Sequence, residues 1–321
     1  MNTAASLQEE IGGRRDRPRK RGCETQDEGT PTEAGESPPR SILLEHKCEI
    51  VTIIRYPCCE EQNIMTQTAG ASLALSIEVK DSVEQLTVPQ AILLHLLPGA
   101  LITLGFMLLG PWLKQNHLPP ILALLIPILL ILIPFELGLL CFLGYRRNGR
   151  LSLEGIVLNR EPLPRKDYLL ITPVILFWAI FMFMSLGGFD QAILNGLFGW
   201  LPDWFQTTQI VPADYSQPVL TGTFVFFLVI NGFAGPVVEE LYFRGFLLPR
   251  IEYLKGWAPL TNVLLFSLYH FFSPWQNISR ILAFTPMAAA VYWKKNIYLS
   301  MAAHCLLNTG YILLMTRLFF P

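Results

Sequence analysis

Residues 219–250 read VLTGTFVFFLVINGFAGPVVEELYFRGFLLPR. The first half is apolar enough to lie in lipid. The second half sets Glu239, Glu240 and Arg244 into the same surroundings. An ionisable side chain at the centre of a bilayer costs at least ~3 kcal/mol. A chain that keeps two carboxylates and a guanidinium together there uses them. On a helix, Glu240 and Arg244 stand at i, i+4 and can pair. Glu239 points about 100° away and is left without a local partner.

Working outward, the whole chain has the same character. Its 321 residues are 52% hydrophobic and 15% charged, with mean hydropathy +0.40. Charged residues make up about a quarter of an ordinary soluble domain. The apolar residues come in runs near the ~20 needed to span a bilayer. The expected fold is therefore all-α, a polytopic transmembrane helical bundle of about seven spans. These fall near 91–111, 121–143, 168–186, 219–234, 258–273, 280–293 and 297–316. Gly, Pro and polar clusters separate them. The net charge of −1, with no basic patch interleaved with aromatics, points away from nucleic acid.

Residues 1–45 form a polar tail. Arg14, Arg15, Arg17, Arg19, Lys20 and Arg21 are followed by acids among Pro, Gly, Ser and Thr, too little apolar surface to fold. The opening residues are polar, unlike a signal peptide. Residues 46–88 are poorly defined, with alternation at 49–56 and 72–79 that suits short strands. The transmembrane domain is expected over 89–316, its chemistry in 219–312. The six cysteines match neither a zinc-ligand spacing nor a disulfide framework.

Loop charge sets an orientation. The 144–167 loop carries Arg146, Arg147, Arg150, Arg160, Arg165 and Lys166, whereas 187–218 has no Lys or Arg. The positive-inside rule puts the first loop and the N-terminus in the cytoplasm. Phe189–Phe205, interrupted by Asp190, Asn195, Pro202 and Asp203, reads as an interfacial segment anchored by Trp200 and Trp204. Residues 219–253 would run roughly 50 Å as one helix. A break at Gly235-Pro236 is expected, leaving Glu239 and Glu240 in the first turns of a new helix.

Few other polar groups occupy the later spans. Phe266 and His270 share a face, as do His304 and Asn308. A carboxylate assisted by an imidazole can take a proton from water, and an amide with a second imidazole can donate to an oxyanion. The same Glu239, His270 and His304 could instead hold a metal such as Zn²⁺, leaving an open position. Separately, each group has a plainer role: a capped ion pair, a packed histidine, hydrogen-bonding glue between helices. Together on three polar-poor helices they point to a site. His95 and His117 lack a carboxylate at helical spacing. Glu136 is a lone acid for which snorkelling or an interhelical hydrogen bond is expected. Asn277-Ile-Ser279 is a glycosylation triplet of a kind that arises often by chance.

Glu239-Glu240-x-x-x-Arg244, Phe266-x-x-x-His270 and His304-x-x-x-Asn308 resemble the three motifs of the CAAX prenyl protease and bacteriocin-processing family of intramembrane peptidases. The resemblance implies a site sunk in the membrane on the cytoplasmic side. In it Glu239 would activate water with His270 assisting. His304 and Asn308 would form the oxyanion site, and Glu240, Arg244 and Phe266 would support them. The family has been described both as metalloproteases and as metal-free glutamate-type proteases, and the residue set leaves both open. The implied partner is a membrane-associated peptide or protein, in eukaryotic members a prenylated one. A non-catalytic scaffold or bacteriocin-immunity protein of the same fold is the alternative. A transporter is disfavoured because the Glu-Glu motif is not repeated in the first half. The expected location is a bacterial or archaeal plasma membrane, with the endoplasmic reticulum as the alternative.

Overall fold

The computed structural model describes residues 83–207 and 210–320. The tail and the expected short strands lie outside the described residues.

Helix α1, Val88–Gln115, starts earlier than its apolar run suggests. Pro89 suits a first turn, and the Thr87 N–H donates to Gln90 Oε1 at 2.9 Å. Helix α2, Leu122–Asn148, winds as a π-helix over Ile128–Leu137 and stops at Gly149, whose φ of +66° suits a residue without Cβ. Helix α3 is Arg165–Leu197. Helix α4 spans 217–247 and changes winding along its length. It is α-helical over Gln217–Phe227, π-helical over Leu228–Ala234, α-helical over Gly235–Glu239 and π-helical again over Glu240–Leu247. A 3-10 segment, Leu248–Trp257, leads to α5, Ala258–Tyr269. Then come α6, Asn277–Lys294, and α7, Ile297–Leu314. The Asn296 side chain caps α7 by accepting from the Leu299 N–H at 3.1 Å. There is no strand among the described residues, only one isolated bridge between Arg160 and Asn296.

Each of the seven expected spans is helical, although the helix boundaries differ from the expected limits. Among the described residues, five stretches are long and apolar enough to cross a membrane: Val88–Gln115, Leu122–Asn148, Arg165–Leu197, Gln217–Tyr269 and Ile297–Leu314. The fourth contains two expected spans, and α6 is diluted by Asn277, Ser279, Arg280 and Lys294.

Two expectations are corrected. The chain does not break at Gly235-Pro236. Gly235 keeps helical φ/ψ (−56°, −60°), and Pro236, which lacks a donor, follows a π-wound stretch whose hydrogen-bond register is already shifted. The break falls at Ile251 (φ −118°, ψ 22°) and Lys255 (φ 52°, ψ −127°). Glu239 and Glu240 therefore sit inside a long helix, and a helix N-terminus does not stabilise them. Likewise α3 does not end near residue 186 but continues to Leu197, roughly 50 Å against a hydrocarbon core of ~30 Å. Asp190 can be held within it because the Ser279 hydroxyl of α6 donates to its Oδ2 at 2.6 Å. Pro202–Phe205 lies beyond the end of α3, and there Phe205 packs on Phe106 of α1 (ring centroids 4.7 Å) and on Trp275.

The π-wound end of α4 forms the centre. Tyr242, Phe243, Arg244, Phe246 and Leu247 are fully buried. Helix α1 packs on α2 and α5, α3 on α6 and α7, and α7 on α4. Gly99 of α1 allows the closest crossing. A Cβ there would lie 1.9 Å from the Tyr269 carbonyl oxygen, so only glycine lets α1 and the end of α5 meet.

Candidate active site

Glu239 and Glu240 project from the junction between the α-wound and π-wound parts of α4. Short π segments inside α-helices are rare and often occur at functional sites. Glu240 lies 3.5 Å from Arg244 across one turn, both fully buried. The expected pair forms, but as a loose ion pair: among the described residues no Arg244 guanidinium nitrogen has a hydrogen-bond partner. The guanidinium carbon instead sits 4.0 Å above the centroid of the Phe266 ring. A desolvated cation–π contact of this kind is worth roughly 2 kcal/mol. Phe266 also meets His270 edge-on, with ring centroids 4.9 Å apart, and stands 6.2 Å from the His304 ring. Thus Phe266 is the common wall of the site.

His304 of α7 reaches both carboxylates. Its Nδ1 lies 3.0 Å from Glu240 Oε1, and its Nε2 lies 3.9 Å from Glu239 Oε2. A carboxylate oxygen accepts, so His304 donates through Nδ1–H and turns Nε2 towards Glu239. Glu240 therefore does more than support Arg244. It sets the orientation of His304, a contact between helices that motif spacing does not reveal.

His270 follows the last turn of α5. Its Nδ1 donates to the Phe266 carbonyl at 2.8 Å, leaving Nε2 with no hydrogen-bond partner among the described residues. The ring lies within electrostatic reach of His304 and Arg244. Asn308 donates through Nδ2 to the Asn231 carbonyl at 2.9 Å. That carbonyl belongs to the π-wound Leu228–Ala234 segment, where shifted winding leaves backbone oxygens available. Glu239, Glu240, Arg244, Phe266, His270 and His304 thus come together from α4, the end of α5 and α7, while Asn308, one turn on from His304, is placed against Asn231.

Sequence reasoning missed two participants. The Tyr269 hydroxyl donates to Glu239 Oε1 at 3.3 Å. Tyr269 could have been suspected from its place beside His270. Glu136 of α2, expected to snorkel or to make an interhelical hydrogen bond, does not snorkel: it is fully buried, and the Tyr269 hydroxyl at the end of α5 is within reach of it, although among the described residues neither carboxyl oxygen has a hydrogen bond of ordinary geometry. It lies against Tyr269 and within electrostatic reach of Glu239 and Arg244. No local sequence signal connects a single acid on α2 with a pair about a hundred residues away. His95 of α1, also set aside, ties the centre together. Its Nδ1 donates to the Ala91 carbonyl at 2.6 Å, and its Nε2 accepts from Asn262 at 3.1 Å. Asn262 in turn donates to the Phe243 carbonyl at 3.0 Å.

The three candidate metal ligands do not converge. Among the described residues, no group of three or more His, Cys, Asp or Glu could hold a metal ion. His304 directs Nδ1 to Glu240, and His270 directs Nδ1 to a backbone carbonyl. Both contacts engage Nδ1 and leave Nε2 open, an orientation that metal-binding and metal-free histidines share, and no step below runs through a metal.

Residues 221–310 match the Rce1-like family, type II CAAX prenyl endopeptidases. The match begins in α4 and ends in α7, and it contains Glu239, Glu240, Arg244, Phe266, His270, His304 and Asn308. It agrees with the resemblance carried by the three motifs. No curated protein and no solved structure matches the chain significantly. Glu136, His95 and Gly99, on α1 and α2, lie outside the Rce1-like segment. The Rce1-like family is one of proteases. The chain that carries this match also has helices long and apolar enough to cross a membrane.

Proposed function

We propose that the protein is an intramembrane endopeptidase in which Glu239 activates water against a peptide bond. The observation that carries this reading is the pair of unequal carboxylates. Glu240 is engaged by Arg244 and His304. Among the described residues, Glu239 has a long contact from Tyr269 and a gap of 3.9 Å to His304 Nε2. A carboxylate with spare acceptor capacity beside an imidazole is suited to hold and deprotonate a water.

In the proposed reaction, Glu239 takes one proton from water and the oxygen attacks the substrate carbonyl. Charge develops on the carbonyl oxygen, and its donors are the Nε2–H of His304 protonated on both nitrogens and the second amide hydrogen of Asn308. Glu239 then passes the proton to the leaving nitrogen as the C–N bond breaks. His270, with a free Nε2, assists by holding the water or the leaving group. Glu240 fixes His304, and Arg244 on Phe266 offsets the charge of the acidic pair. Helices that cross a membrane favour a membrane-associated substrate, and the Rce1-like match favours a prenylated peptide cut near its C-terminus. With the basic loops cytoplasmic, the site opens toward the cytoplasmic half of the membrane.

Glu239→Gln should trap rather than cut substrate. Identification of peptides bound to this variant in the native membrane tests the reading. Enrichment of prenylated C-terminal peptides supports it. A Glu239→Gln protein that still cleaves them overturns it. The metal question has its own test, elemental analysis of the purified protein. Stoichiometric zinc that is lost in His304→Ala would replace the metal-free route with a metal-assisted one.

A further inference from the structure

Glu136 is a buried carboxyl group that the proposed chemistry does not use. Among the described residues neither of its oxygens has a hydrogen bond of ordinary geometry, yet it lies within reach of Tyr269, the side chain that donates to Glu239. The Tyr269 hydroxyl has a single hydrogen. It can serve Glu239 or Glu136 but not both. Its present bond to Glu239 is long, 3.3 Å, where an O–H donor to a carboxylate settles near 2.5–2.7 Å. A weak bond on one side and an orphaned acceptor on the other describe a hydroxyl between two acceptors.

We propose that Glu136 is a positioning residue that competes with Glu239 for the Tyr269 hydrogen and so frees the Glu239 oxygen for water. When the hydrogen turns to Glu136, a buried acceptor is satisfied and Glu239 Oε1 is exposed to its reaction partner. When it turns back, Glu239 is stabilised and becomes a poorer base. Gly99 keeps this exchange in register, because its bare Cα lets α1 pack on the Tyr269 backbone. The inference rests on the reading of Glu239 as the base.

The test is a double-mutant cycle on full-length protein in liposomes, with a fluorescence-quenched farnesylated peptide as probe. Glu136→Leu removes the competing acceptor. The Tyr269 hydrogen then stays on Glu239, and kcat should fall by about tenfold or more while KM changes little. Tyr269→Phe placed in the Glu136→Leu background should restore kcat, since the residue holding Glu239 is gone. Glu136→Gln keeps an acceptor oxygen and the side-chain shape, and its kcat should stay within about threefold of the original. This variant also serves if Glu136→Leu misfolds: a Glu136→Gln rate that holds or rises when Tyr269→Phe is added supports the proposal, and one that falls overturns it. Losses that simply add in the cycle overturn the proposal, because a merely structural Glu136 cannot be rescued by removing a hydroxyl. Wild-type protein that cleaves while Glu239→Gln does too removes the underlying reading instead. Wild-type protein that cleaves nothing removes both.

Discussion

Phe266 touches Arg244, His270 and His304 at once. As an apolar residue in an apolar helix, it reads as packing. Its ring face offers a buried guanidinium, with no hydrogen-bond partner, a surface of negative potential. Phe266→Leu keeps most of the bulk and loses that surface. It should lower stability by about 1–2 kcal/mol, read as a fall in Tm in detergent, with a further loss of activity as Arg244 shifts. Glu240→Gln is expected to be worse. Breaking a buried ion pair by removing one partner costs about 3–5 kcal/mol, and His304 loses its anchor as well. Glu239→Gln should be folded and silent, whereas Glu240→Gln should be poorly folded. Size-exclusion profiles and melting curves of the two variants separate these roles. Motif spacing distinguished the two acids correctly as one paired and one open. It was silent on His304 bonding to the paired one, because that contact joins α4 to α7 and depends on how the helices pack.

Helix α4 is the element on which the site depends. Its two π-wound stretches flank the short α-wound piece that ends at Glu239. The length of the run and its Gly-Pro step predict a break, and the structure has altered winding there instead. Sequence periodicity cannot tell these apart, since both relieve a missing proline donor. The junction of α1 with α5 is the second critical contact. Gly99→Ala would drive a methyl group into the Tyr269 carbonyl. Overpacking of this kind costs about 1–3 kcal/mol, and here it also displaces the hydroxyl that faces Glu239. The expected result is a lower Tm together with a kcat loss out of proportion to it, whereas alanine at Gly188 of α3, where a Cβ meets nothing within 4 Å, should leave both unchanged. Asn262→Leu should destabilise by about 1–3 kcal/mol, since it leaves the Phe243 carbonyl and the His95 ring without their donor in the core.

At the scale of the whole molecule, two strong signals in the chain made the membrane class legible: apolar runs of spanning length and one-sided loop charge. The span limits were less so. Sequence pattern places the end of α3 before Asp190, because the partner that holds this residue inside the helix, Ser279, is far away in sequence. The charge asymmetry carries a prediction of its own. Arg150→Cys, in the basic loop, should be shielded from an impermeant maleimide added outside intact cells, and Trp200→Cys should be labelled. The opposite pattern would invert the proposed orientation and move the opening of the site to the other side of the membrane.

The central claim is that one of two adjacent buried carboxylates performs the chemistry. Single-turnover cleavage of a farnesylated peptide by purified protein in liposomes tests it most directly, comparing wild type with Glu239→Gln at matched folding. The account predicts cleavage by the wild type and a loss of at least about a hundredfold in the variant, the scale of a missing general base. Equal rates for the two proteins would contradict it.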